Sequence, residues 1–131
     1  MTKYLLDANI LIALVTDDHD HRARAGQWFA NQSSVAICPV VQGAFVRYSI
    51  VNRRSGDEAR KILQGLQADP RFEFWPDSVS YADTDLQQVK GHQQVTDAYL
   101  VALTRTHADA KLATMDVALA ATYPDVVELI P

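Results

Sequence analysis

Three aspartates stand in distant parts of the chain, each beside an apolar segment. Asp7 follows the run Tyr4–Leu6, Asp116 ends the run Leu112–Met115, and Asp97 heads a long apolar stretch. In an open parallel α/β sheet, ligands gather beyond the carboxyl ends of the strands, so such residues can converge on one crevice. Converging carboxylates repel one another unless a cation lies between them. Magnesium and manganese prefer hard oxygen ligands, and a bound ion can activate water beside a phosphate.

Each aspartate also has an ordinary structural explanation. Asp7 and Asp116 can cap the helices that follow them, and Thr96 with Asp97 makes a good helix start that the helix dipole favours. Capping can explain each aspartate by itself, but it explains all three together less well. A strand-terminal aspartate in an apolar run is costly to bury without a partner, and the chain has two such sites.

Apolar periodicity predicts strands that alternate with helices. The predicted strands are Lys3–Leu6, Val35–Cys38, Phe72–Trp75, Leu112–Thr114 and Val126–Ile130. The predicted helices are Asn9–Val15, His21–Asn31, one opened by Pro39, one after Gly56, Asp97–His107 and a short one near Val117–Tyr123. This alternation implies right-handed crossovers and an α/β fold of three layers, with a central parallel sheet flanked by helices.

Composition limits the setting in which the protein works. A chain of 131 residues with 48% hydrophobic content fits a single domain over residues 1–131. The net charge of −4 provides no general attraction for polyanions, so nucleic-acid binding must come from a local basic patch or a metal. The only cysteine, Cys38, cannot form an internal disulfide, and no long apolar stretch precedes Asp7. We therefore expect a cytoplasmic protein with no membrane segment.

Three motifs carry a resemblance to a known family. They are Tyr4-Leu5-Leu6-Asp7-Ala8-Asn9, Thr96-Asp97-Ala98-Tyr99-Leu100 and Leu112-Ala113-Thr114-Met115-Asp116. In this order they resemble the PIN-domain family, and more narrowly the VapC-type toxin ribonucleases of VapBC toxin-antitoxin systems. The resemblance extends from Leu5 to Asp116. It implies an endoribonuclease that cuts RNA with a metal-activated water, with Mg²⁺ or Mn²⁺ bound by Asp7, Asp97 and Asp116.

Further site residues follow from the same resemblance. Asn9 matches the family's polar residue two positions after the first acid, and Thr96 matches its hydroxyl residue before the third. The stretch from Cys38 to Arg47 resembles the second motif, with Arg47 in the basic position, where its planar guanidinium suits phosphate binding. Asn9, Thr96 and Arg47 are therefore the expected substrate-binding residues. The resemblance also implies a homodimer that a VapB-like antitoxin neutralises.

One position departs from the family pattern. Gln42 stands where the second motif has a glutamate, so the expected catalytic set is Asp7, Gln42, Asp97 and Asp116. An amide oxygen can accept a hydrogen bond or a metal, but it brings no negative charge and cannot act as a general base. We expect Gln42 to weaken or abolish RNA cleavage. The sequence is equally consistent with a native glutamine and with an engineered, nearly isosteric replacement.

Other functions compete with the ribonuclease interpretation. The main alternative is a catalytically silent PIN module that binds antitoxin or RNA, an interpretation that Gln42 favours. A flavodoxin-like receiver needs an acidic pair after the first strand, where this chain has Asp7 and Ala8, and a lysine near the end of the last strand, where it has Leu129–Pro131. A haloacid-dehalogenase-like phosphatase needs a second aspartate where Asn9 stands.

Overall fold

Five parallel strands form one sheet, and helices pack against both of its faces. The structure, a computed structural model, describes all residues from 1 to 131. The strands are β1 (Lys3–Leu6), β2 (Val35–Ile37), β3 (Phe72–Phe74), β4 (Ala110–Thr114) and β5 (Val127–Leu129). The helices are α1 (Ala8–Val15), α2 (Arg22–Ala30), α3 (Pro39–Val51), α4 (Gly56–Gln67), α5 (Val95–Arg105) and α6 (Val117–Thr122).

The order of the strands places a crevice beside β1. The sheet runs β3-β2-β1-β4-β5, and Leu5 of β1 pairs with Ala36 of β2 and with Leu112 of β4. The chain first builds the sheet outward through β2 and β3, and then returns to add β4 on the other side of β1. This reversal leaves a crevice at the carboxyl ends of β1 and β4, where open α/β sheets bind ligands. Asp7 follows β1 and Asp116 follows β4.

Alternating side chains of the strands build a core on each face of the sheet. Leu5 belongs to one cluster, with Phe45, Trp75 and Leu100, whereas Leu6 belongs to the other, with Trp28. Successive strand residues point to opposite faces, so adjacent leucines serve both cores. The predicted three-layer arrangement with a central parallel sheet is confirmed. No helix is both long enough and apolar enough to cross a membrane.

Several element boundaries differ from the predictions. Helix α5 begins at Val95 rather than Asp97, directly after a 3₁₀ turn at His92–Gln94. Strand β4 begins at Ala110 rather than Leu112, because the register pairs its first residues with Lys3 and Tyr4 of β1. Sequence periodicity does not contain this pairing information. The segment between β3 and α5 has no long element and carries a second 3₁₀ turn at Tyr81–Asp83.

Candidate active site

The hydroxyl group of Thr114 connects three polar residues at the crevice. It donates to Asp7 Oδ2 at 2.7 Å and accepts from Asn9 Nδ2 at 3.2 Å and from the backbone N–H of Asp116 at 3.0 Å. Asn9 Oδ1 also accepts from the backbone N–H of Met115 at 3.3 Å. Thr114 is fully buried, so water cannot replace these bonds easily. The network therefore fixes the end of β1 against the end of β4.

Two of the three aspartates do cap helices. Asp7 Oδ1 accepts from the N–H of Ala8 at 2.7 Å at the start of α1, and Asp116 Oδ1 accepts from the N–H of Leu119 at 3.1 Å at the start of α6. Each carboxylate thus satisfies a free donor of the first helical turn. Capping and a place at the crevice are compatible here, because a helix that follows a parallel strand begins at the carboxyl edge of the sheet.

Asp97 has no capping role. The N-cap of α5 is Gln94, and Asp97 lies in the first turn of the helix with no hydrogen bond to its carboxylate. The expected helix start at Thr96 and Asp97 is therefore wrong, because the preceding 3₁₀ turn runs directly into α5. Asp97 nevertheless remains half-buried. A partly buried carboxylate without a donor is unfavourable, and such groups concentrate at functional sites.

The three carboxylates are near enough for their charges to influence one another. Burial, and then the charges of Asp7 and Asp116, raise the pKa of Asp97 from 3.8 to about 6. Burial also raises the pKa of Asp7, and the charge of Asp116 adds to this effect, whereas hydrogen bonds from Thr114 and Ala8 oppose it. Like charges raise a pKa in this way only when they are near one another. Negative charge therefore accumulates at the crevice without a cationic side chain to balance it.

The donor set fits a hard divalent cation that keeps part of its water shell. Asp97 offers both carboxylate oxygens, and Asp116 offers Oδ2, which no side chain or backbone group occupies. The carboxylates do not form a closed set of direct ligands, since no three His, Cys, Asp or Glu side chains are close enough to hold an ion by themselves. Magnesium usually keeps several waters and binds through one or two carboxylates. An open, partly solvated arrangement suits that preference.

The Thr114 network does not include the other expected site residues, Gln42, Thr96 and Arg47. Gln42 is half-buried in the first turn of α3, which follows β2, the neighbour of β1. Thr96 is exposed beside Asp97, and its hydroxyl group makes no hydrogen bond. Arg47 is exposed and forms no ion pair, and its Nη1 would lie 3.6 Å from a Cβ added at Gly43 one turn earlier. Its guanidinium is therefore free to contact a ligand.

A family model now decides the classification. The model of the PIN domain matches residues 4–123, which include all three aspartates and the Thr114 network. The chain belongs to the PIN-domain family. The resemblance seen in the three sequence motifs is thereby confirmed.

Close sequence relatives place this PIN domain among the VapC ribonucleases. The chain is 46% identical to ribonuclease VapC29 of Mycobacterium tuberculosis over 128 residues, which is 97% of this chain and 96% of the relative. It is 38% identical to ribonuclease VapC38 of the same species over 119 residues, covering 86% and 84% of the two chains. The narrower resemblance to VapC-type proteins is confirmed as well.

Solved structures support the fold of this PIN domain. The crystal structure of Mycobacterium tuberculosis VapC20, a sarcin-ricin loop cleaving toxin, matches with a TM-score of 0.72 at 16% identity, covering 98% of this chain and 99% of VapC20. The VapBC2 complex from Rickettsia felis, bound to a promoter DNA fragment, matches with a TM-score of 0.63 at 17% identity, covering 99% of this chain and 100% of the other. Identities this low establish the shared fold alone.

Sequence reasoning missed one central residue of this PIN domain. Thr114 lies inside the motif Leu112–Asp116, where apolar periodicity assigns it only to a strand. The available signal was a lone hydroxyl at the end of an apolar strand, two residues before Asp116. A buried hydroxyl at such a position must find partners, and here it finds them at the starts of the two helices that follow β1 and β4.

Proposed function

We propose that this PIN-domain protein is a VapC-type toxin, a divalent-metal-dependent endoribonuclease whose single domain spans residues 1–131. The observation that carries the proposal is the unpaired carboxylate of Asp97, whose pKa rises to about 6 beside the charges of Asp7 and Asp116. A protein has little reason to keep such a destabilising cluster unless a cation offsets it. The close relatives supply the reaction class, since both are named ribonucleases.

Asp7, Asp97 and Asp116 would hold Mg²⁺ or Mn²⁺. When bound, this ion supplies an activated water and neutralises charge on the RNA phosphate. Asp97 would contribute most to affinity, because its carboxylate gives up no hydrogen bond on binding the ion. Asp116 would use the oxygen that does not cap α6, and Asp7 would act from a position fixed by Thr114 and Ala8.

The remaining site residues of the chain position the acids and the RNA. Asn9 holds the loop after β4 through its bonds to Thr114 and Met115, so it keeps Asp116 beside Asp7. The free hydroxyl of Thr96, next to Asp97, would contact the RNA backbone close to the reacting phosphate. Arg47, exposed on α3 and free of an acidic partner, would neutralise a neighbouring phosphate.

Gln42 is proposed to reduce this activity. It begins the helix after β2 at the edge that carries the acids, where a carboxylate would strengthen the field on the metal. An amide at this position contributes an oxygen ligand without charge. The same observation supports a second candidate function, a silent PIN module that binds RNA or antitoxin without cutting.

A VapB-like antitoxin and a second copy of the chain are the proposed protein partners. Support comes from the VapC type of the relatives and from the shared fold of the Rickettsia felis VapBC2 complex. An antitoxin would neutralise the toxin by inserting a carboxy-terminal segment into the acidic crevice. Co-expression with a VapB-type antitoxin, followed by measurement of the mass of the complex, tests both partners.

Metal-dependent cleavage is tested with two matched aspartate variants. Asp97→Asn removes the unpaired charge, whereas Asp109→Asn changes an exposed aspartate before β4, at the opposite edge of the sheet from Asp116. Asp109 has a φ of 54°, which asparagine tolerates well. Calorimetric titration with Mn²⁺ and cleavage of single-stranded RNA are measured for the parent and for both variants.

We expect the parent and Asp109→Asn to bind Mn²⁺ and to cleave RNA only when Mg²⁺ or Mn²⁺ is present. Asp97→Asn should lose both properties. Undiminished cleavage in EDTA, or in Asp97→Asn, would contradict the proposal. Mn²⁺ binding without cleavage, with activity restored by Gln42→Glu, would identify the chain as a PIN nuclease silenced at position 42.

A further inference from the structure

A small cavity opens directly beside Asp97 and Asp116. Its volume is about 180 Å³, and its other polar walls come from Gln88, Gln93, Gln94, Thr122 and Tyr123. The three glutamines belong to the segment between β3 and α5, and Tyr123 is the C-cap of α6. The cavity therefore joins the acidic crevice to a patch of amides and one aromatic ring.

The size and polarity of the cavity restrict its occupant. Cavities that bind drug-sized molecules measure roughly 300–1,000 Å³, so this one accepts a single small ring system. No lysine or arginine lines it, and two of its walls are carboxylates. A phosphate would be repelled there. Amide side chains carry donors and acceptors in a plane, as do the edges of nucleobases.

The glutamines are partly fixed by the backbone beneath them. Gln94 Oε1 accepts hydrogen bonds from the backbone N–H groups of Lys90 and Gly91, so the Nε2 donors of Gln94 have no protein partner. The amide of Gln93 lies over Gly91, because a Cβ added at Gly91 would meet Gln93 Oε1 at 2.7 Å. Gly91 thus leaves room for the Gln93 amide beside the cavity.

Tyr123 provides a flat surface at the border of the cavity. Burial, and then the charge of Asp85, raise the pKa of its phenol, Arg105 opposes this effect, and the charge of Asp97 raises the pKa further. Tyr123 and Asp97 both line the cavity. A half-buried aromatic ring beside polar side chains is the usual platform for an unpaired base.

We infer that this cavity binds one unpaired base of the single-stranded RNA substrate, adjacent to the phosphate that is cut. The inference rests on the proposed ribonuclease function. The base stacks on Tyr123, and the amides of Gln88, Gln93 and Gln94 contact its polar edge. These residues determine which RNA sequence is cut, whereas the metal site provides the cleavage chemistry. Recognition by stacking and amides needs no basic side chain in the cavity, so it is compatible with a net charge of −4.

The test uses a fluorescent single-stranded RNA in which one abasic nucleotide is moved along the sequence. Binding is measured by anisotropy in EDTA, and cleavage is measured separately with Mn²⁺. Tyr123→Leu removes the ring, Tyr123→Phe keeps it, and Gln93→Ala removes one amide. Tyr81→Leu and Gln64→Ala are the matched controls, because both side chains are exposed and lie outside the cavity. Circular dichroism confirms that each variant is folded.

We expect one abasic position to weaken parent binding on the order of tenfold, as loss of one stacked base does. Tyr123→Leu should bind all of the RNAs alike at the weaker level, and Tyr123→Phe and both controls should behave as the parent. Gln93→Ala should flatten the preference among the four bases at that same position. Gly91→Ala should do the same, since its Cβ displaces the Gln93 amide.

The base site and the nuclease function can be refuted separately. If Tyr123→Leu and Gln93→Ala keep the parent's base preference, the base site is wrong, whether or not Mn²⁺-dependent cleavage is observed. If the parent never cuts RNA but shows a Tyr123-dependent abasic position, the base site stands and the nuclease function fails. If Tyr81→Leu changes the base preference as much as Tyr123→Leu does, the assignment of the base site is also wrong.

Discussion

Replacing Asp97 by asparagine should stabilise the metal-free protein at neutral pH. Asparagine keeps the size of the side chain and removes the charge that burial, Asp7 and Asp116 make unfavourable. These causes raise the pKa of Asp97 from 3.8 to about 6, which corresponds to a cost of about 3 kcal/mol when the group is ionised. Solvent screens a side chain that is only half-buried, so we expect a net gain of about 1–2 kcal/mol.

The pH dependence of this gain has a definite sign. Below 3.8 Asp97 is protonated in both the folded and the unfolded chain, and the two proteins should be equally stable. Between 3.8 and about 6 the folded state holds the proton that the unfolded state releases, so stability of the parent falls as the pH rises. Above that interval the full difference is present. The stability of Asp97→Asn should not fall over this pH interval.

Thermal unfolding in EDTA between pH 3.5 and 8 measures the effect. At pH 7 the variant should melt roughly 3–8 °C above the parent, and the difference should vanish near pH 3.5. Mn²⁺ should raise the melting temperature of the parent and have little effect on the variant, because a ligand stabilises only the state that binds it. A variant that is less stable than the parent at pH 7, or a difference independent of pH, would refute this reasoning. Asp109→Asn serves as the control.

Substitutions at three further positions test other parts of the site. Gln42→Glu should tighten Mn²⁺ binding on the order of tenfold and raise RNA cleavage, because it adds a charge near the metal, and calorimetry with a cleavage assay checks both. Equal values for the two proteins would show that position 42 has no role. Thr114→Val should lower the free energy of unfolding, measured in urea, by about 1–3 kcal/mol, because it leaves the N–H of Asp116 and Nδ2 of Asn9 without a partner. Thr114→Ser keeps the hydroxyl group and should recover most of this stability. Arg47→Ala should reduce the slope of log K for single-stranded RNA against log salt by about 0.7, and an unchanged slope would remove Arg47 from the RNA contacts.

Much of the fold follows from local pattern. The run Lys3–Leu6 predicts β1 with its observed bounds, because a short, mostly apolar segment that is followed by an aspartate is typical of a buried strand. Pro39 predicts the first residue of α3, since its fixed φ suits the first turn. Asp7 and Asp116 cap helices as their positions indicate.

The tertiary structure decided what these residues do together. The positions of Asp7, Asp97 and Asp116 along the chain do not indicate how far apart their side chains lie. Only the strand order β3-β2-β1-β4-β5 brings the ends of β1 and β4 side by side. Two of the three hydrogen bonds of the Thr114 hydroxyl likewise depend on Asp7 and Asn9, which lie more than 100 positions away at the start of α1. Sheet pairing is a long-range interaction that local periodicity does not encode. The start of α5 at Val95 also differs from the predicted Asp97, because a 3₁₀ turn at His92–Gln94 leads directly into the helix and apolar periodicity does not reveal such a turn. Asp97 is therefore the one acid at the crevice without a hydrogen bond.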